Sequence, residues 1–98
     1  MVQYEEPQVT RTVRRIAAPE TTAEQVVVAL HGALADAADE RLEPEDLAVV
    51  MRAGARRLDE RQIGVVESLA RAKLTADDAA SAIEALRGDG GPLPRPEG

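Results

Sequence analysis

The chain contains no cysteine, no phenylalanine and no tryptophan, and it carries a single tyrosine and a single histidine. Without thiols it has no disulfides, no thiolate metal site and no cysteine nucleophile. With His31 as the sole imidazole, one chain has no means of assembling a histidine-based metal cluster. The missing aromatics remove the side chains that normally bring the largest buried area per residue. There is no apolar run of about 18 residues, the length a membrane-crossing helix needs. The opening MVQYEEPQV lacks the basic and apolar regions of a secretory signal, so the expected location is cytoplasmic.

What remains is small, acidic and rich in alanine. A length of 98 residues suggests one domain. Of the 44% of residues that are hydrophobic, 18 are Ala, while Leu, Val and Ile together number 22. Ala contributes little buried area, so the core is expected to be thin and its elements closely spaced. A chain of this kind gains from an oligomer or a partner that covers more surface. The net charge is −6, with Glu24, Asp36, Asp39 and Glu40 unopposed by any Lys or Arg over residues 21–40. Such a balance disfavours non-specific attachment to nucleic acid or anionic lipid. It suits solubility and, secondarily, a basic protein partner.

Along the chain, residues 1–8 read as a flexible leader and residues 9–88 as one helical domain. Residues 9–16, VTRTVRRI, mix β-branched residues with Arg and read as a short strand or extended arm. A first helix is expected over about 22–39, with Thr21 and Glu24 at capping-box spacing and Ala23, Val27, Leu30, Leu34 and Ala37 facing inward. Leu42, Leu58 and Leu74 lie 16 residues apart, and each precedes a helix start. Pro44 at a first helical position, Asp59 with Gln62, and Thr75 with Asp78 mark helices at about 44–57, 60–73 and 76–87. Gly54 falls on an inward stripe, which points to close approach of a neighbouring helix. Connections this short imply that sequential helices pack against one another. Gly88 reads as a left-handed stop, and residues 89–98 as a disordered Pro- and Gly-rich tail. The expected fold is all-α, a compact four-helix domain with a strand-like N-terminal arm.

The chemical inventory is short. His31 lies mid-helix beside Gly32, and Asp77 and Asp78 open a helix, where carboxylates complement the macrodipole. Asp36, Asp39 and Glu40 have carboxylates that could ligate a divalent cation, but no loop of EF-hand spacing accompanies them. Neither phosphate-cradling glycine motifs nor a nucleophile elbow is present. The expectation is a non-enzyme without a cofactor.

Two binding readings remain. In the first, Val28, His31 and Ala35 form a surplus apolar edge on the first helix, and Arg52, Arg56 and Arg57 form a basic cluster on the second. These surfaces suit an adaptor, accessory subunit or regulator that binds a protein partner or itself. In the second, a strand bearing Arg11, Arg14 and Arg15 followed by two helices resembles the ribbon-helix-helix repressors, over about residues 9–57. The resemblance implies a dimeric, antitoxin-like DNA-binding regulator whose paired strands enter the major groove, with Thr10, Thr12 and Arg14 facing the bases. The chain departs from that pattern: Arg11 interrupts the inward face, the first helix is long, and the helices are acidic or neutral where phosphate contact is needed. The first reading is preferred.

Overall fold

Capping sets where the helices begin. In a computed structural model that describes residues 7–88, five helices and no strand are found among the described residues. They are α1 (Gln8–Ala17), α2 (Ala23–Ala38), α3 (Pro44–Ala55), α4 (Glu60–Lys73) and α5 (Ala76–Arg87). Residues 1–6 of the expected leader and the expected 89–98 tail lie outside the described residues. At the start of α4, Asp59 accepts from the Gln62 amide at 2.8 Å, and the Gln62 side chain accepts from the Asp59 amide at 3.0 Å. Thr75 accepts from the Asp78 amide at 3.2 Å, without the reciprocal bond. Pro44 opens α3 after Glu43, which makes no side-chain cap. Leu42, Leu58 and Leu74 are all half-buried against the core beside these starts.

The expected strand at 9–16 is a helix. Val9, Val13 and Ile16 stand at i, i+4 and i+7, which is one face at helical period, although alternation puts Ile16 on the far side. Ile16 is fully buried and Val9 and Val13 pack on the core, while Arg11, Arg14 and Arg15 remain exposed. Pro7 sits at the N-cap, outside the helix it precedes. The start of α2 is also displaced by one residue from the expectation. Thr22, not Thr21, caps, accepting from the Gln25 amide at 3.1 Å while Gln25 accepts from the Thr22 amide at 2.9 Å. The buried face of α2 is accordingly Val26, Leu30, Ala33 and Leu34.

Two helix ends differ from expectation as well. Gly88 has φ −87° and ψ −80°, which is right-handed. The left-handed stop occurs instead at Glu40, with φ 63°. There the Glu40 amide donates to the Ala37 carbonyl at 3.0 Å and the Arg41 amide to the Asp36 carbonyl at 2.8 Å. Those two bonds make a Schellman closure, usually made by Gly because other residues lose about 1 kcal/mol or more in that conformation.

Packing follows a cycle. α2 lies against α3 and α4, and α5 lies against the same two, with the α3–α5 interface the most extensive. α3 and α4 follow one another in sequence yet are not among the closely packed pairs, contrary to the expectation from short connections. Each instead shares α2 and α5 as neighbours. α1 rests mainly on α3 and touches α2 sparingly. The core comprises Ile16, Val26, Leu30, Leu34, Val50, Met51 and Val66, all under 2% exposed, with Ala79, Ala82, Ala85 and Leu86 from α5. Each large side chain so buried contributes roughly 1.5–3 kcal/mol. At the α2–α3 crossing, a Cβ on Gly54 would stand 2.6 Å from Leu30 Cδ1. The absence of a side chain is what lets these helices meet. None of the described helices is long and apolar enough to cross a membrane.

Candidate functional site

The sparse contact between α1 and α2 leaves a groove. The two helices run antiparallel, because Gln8 at the start of α1 reaches Asp36 near the end of α2 (3.5 Å) while the end of α1 lies by the start of α2. The groove has a volume of about 680 Å³, with Val9, Thr12 and Arg15 on one wall and Val28, Ala29 and Gly32 on the other. On α2 the lining positions 25, 28, 29, 32, 33 and 36 are spaced as a single helical face. Val28 is 69% exposed, the most exposed of the large apolar side chains described. Gly32 has open space where a Cβ would be. The other exposed valines, Val49 and Val65, lie apart on α3 and α4.

The end of α1 is held by Arg57. Its guanidinium Nη1 donates to the carbonyls of Ile16 and Ala18, the latter at 3.0 Å, and Nη2 donates to the Thr21 carbonyl at 2.7 Å. The Thr21 hydroxyl donates to the Arg15 carbonyl at 2.7 Å. A helix leaves its last carbonyls without internal partners, and a cation there also opposes the negative end of the helix dipole. Arg57 thus ties the end of α1 and the turn that leads into α2 to the end of α3.

The remaining expected site residues are dispersed. His31 is exposed on α2 outside the groove lining, and Ala35 is half-buried. Arg52 is exposed beside Ser81 and Glu84, and Arg56 is exposed at the C-cap of α3. Arg57 is turned away from both, onto backbone, so the three arginines do not form one cluster. Of Arg11, Arg14 and Arg15, only Arg15 lines the groove. Sequence reasoning missed Val9, Ala29 and Gly32, and gave Thr12 only to a strand facing DNA. The signal was there: helical spacing in residues 9–16 would have placed Val9 and Thr12 beside α2.

A second polar assembly joins α4 to α5. Arg87 donates through Nε and Nη2 to Glu67 Oε1 at 3.1 and 2.8 Å and through Nη1 to Glu60 Oε2 at 2.8 Å. Arg71 donates to Glu67 Oε2 at 3.1 Å. Hydrogen bonds from Arg87 hold the Glu67 carboxyl below its ordinary value, against the opposing effect of partial desolvation. Those that Arg87 gives to Glu60, and then to Glu67, hold its own value above the ordinary one. This arrangement has every charge partnered and presents no reactive group to a substrate.

A smaller cleft of about 300 Å³ lies between the α2–α3 connection and α5, lined by Glu40, Arg41, Leu42, Glu43, Asp78 and Ser81 among others. Among the described residues, no group of three His, Asp or Glu side chains is placed to hold a metal ion. No protein-family model, no curated protein and no solved structure matches this chain.

Proposed function

We propose that the chain is a non-enzymatic, cytoplasmic docking module, an adaptor, accessory subunit or regulator, that receives a helix in the groove between α1 and α2. The observation that carries this reading is Val28, 69% exposed in the wall of a groove whose floor is apolar and small. Apolar anchors at i, i+3, i+4 and i+7 are the pattern by which an amphipathic helix engages such a groove. Covering Val28 and its neighbours would offset the modest stability expected of a core without large aromatics.

The DNA-binding alternative depended on a two-stranded ribbon, and residues 9–16 are helical. No second reading is advanced. The test is affinity capture from the native source with the wild-type chain and with Val28→Asp as baits, alongside light scattering on both. Retention of a specific protein, or self-association, that is lost in Val28→Asp is the expected outcome. Equal retention by both baits, or no association of any kind, rejects the reading.

A further inference from the structure

Helix α1 has little helicity of its own. Five of its ten residues are β-branched, Val9, Thr10, Thr12, Val13 and Ile16, and such side chains lose freedom in a helix and favour extended backbone. Its N-cap, Pro7, supplies no side-chain hydrogen bond, and no acidic residue occupies its first turn. α5 is scarcely longer, yet it contains five Ala, is capped by Thr75 and opens with Asp77 and Asp78. An isolated helix shorter than about 12–15 residues is marginal in water even when rich in Ala. The helicity of α1 is therefore imposed by its seat on α3, where Val9, Val13 and Ile16 pack against the core.

That seat is held mainly at one end. Ile16 is fully buried, and Arg57 donates to the carbonyls of Ile16, Ala18 and Thr21. At the other end Gln8 Nε2 stands 3.5 Å from Asp36 Oδ2, a long hydrogen bond, and Val9 is only half-buried on the wall of the groove. We propose that α1 is a strap, helical only while seated and latched by Arg57. It peels from its Gln8 end, gives up its helix as it lets go, and uncovers the face of α3 beneath it. The uncovered face joins the floor of the groove at Ala33, Leu42 and Val50. The latch therefore sets how much apolar surface this part of the molecule presents. The strap needs no occupant in the groove, so it stands or falls separately from the docking reading.

The test is native-state amide exchange on the full chain in rising, sub-denaturing guanidinium chloride, alongside binding of Nile red as a neutral apolar probe. Amides of residues 11–17 should open at least about tenfold more often than the slowest amides of α3 to α5, in a step with a smaller denaturant dependence. Pro7→Asp combined with Thr10→Ala supplies a cap and removes an exposed β-branched side chain, touching neither seat nor latch. That pair should cut the opening about tenfold. Arg57→Ala should raise it by about tenfold or more. Nile red should bind Arg57→Ala more tightly than wild type and the capped variant more weakly, because its affinity follows the open fraction. If Arg57→Ala does not fold, the capped variant decides alone. Exchange of residues 11–17 only together with α3 to α5 overturns the proposal. So does dye binding that ignores Pro7→Asp with Thr10→Ala, because a helix that swings away intact is indifferent to its own propensity. Equal dye binding by all three chains shows that nothing is uncovered, and overturns it as well.

Discussion

The two ends of this small domain are built on different terms. In the C-terminal part, α5 buries Ala79, Ala82, Ala85 and Leu86 against α3 and α4, and small side chains let the backbones approach closely. In the N-terminal part, α1 meets α2 at few points and rests instead on α3, burying Ile16, packing Val9 and Val13 at the edge of the core and clasped at its end by Arg57. One region is stabilised by continuous apolar contact. The other joins one fully buried and two half-buried side chains of α1 to a charged clasp at its end, and it borders the open groove. Surfaces that accept partners are drawn from the less tightly held parts of a fold, and the proposed docking reading puts α1 among them.

The sharpest way to break this comparison is a pair of truncations. Ile16→Ala and Leu86→Ala each remove a fully buried side chain, and each should lower stability by about 2–5 kcal/mol in denaturant titration. Their hydrogen-exchange signatures should differ. Ile16→Ala should release amides over residues 8–21 while α3 to α5 stay protected, whereas Leu86→Ala should lower protection everywhere. Simultaneous loss in both variants would mean the two regions are one cooperative unit.

Arg57→Ala comes next. It strips three backbone carbonyls of a charged donor and should cost about 2 kcal/mol, again with exposure concentrated at the end of α1. Arg57→Lys should recover less than half of that, because an ammonium lacks the planar fork that reaches all three oxygens. Full recovery would show that charge alone suffices.

Glu40→Gly acts at the joint between the regions and should raise stability by about 0.5–1 kcal/mol by removing left-handed strain. A loss would show that the side chain compensates elsewhere. The smallest effect belongs to the α4–α5 ion pairs. Glu67 titrates lower in the folded chain than in the unfolded one, so its contribution is complete above the unfolded value. It disappears as pH falls through the lowered folded value. Arg87→Gln should therefore flatten the acid limb of stability against pH, with a difference from wild type that is small but largest at neutral pH and that vanishes below the lowered folded value. An unchanged acid limb would remove Arg87 from the account.

Legibility in the sequence followed the same division. The starts of α3, α4 and α5 were readable because a leading leucine agrees at each with a second signal, Pro44 at the first position of α3 and the capping residues Asp59 and Thr75 before α4 and α5. Gly54 was readable because a glycine on an inward stripe has few other uses. α1 was misread because Val, Thr and Ile favour strands, and a single turn of Arg obscured the i, i+4, i+7 stripe. α2 slipped by one because Thr21 and Thr22 are each followed three residues later by a competent acceptor, Glu24 or Gln25. The groove was half visible. Val28 was identified as surplus, but its opposite wall required α1 to be a helix. The role of Arg57 had no local signal, since its partners lie 36 to 41 residues earlier.

That separation has a consequence for synthesis. The oxygens that Arg57 clasps are added to the chain 36 to 41 residues before Arg57 itself. At roughly 5–20 residues per second the interval is on the order of seconds. During it, the first helix has neither its clasp nor the third helix to lie on. A nascent chain stalled just short of residue 57 should therefore expose the N-terminal segment to protease, and one extended past the emergence of that arginine should not.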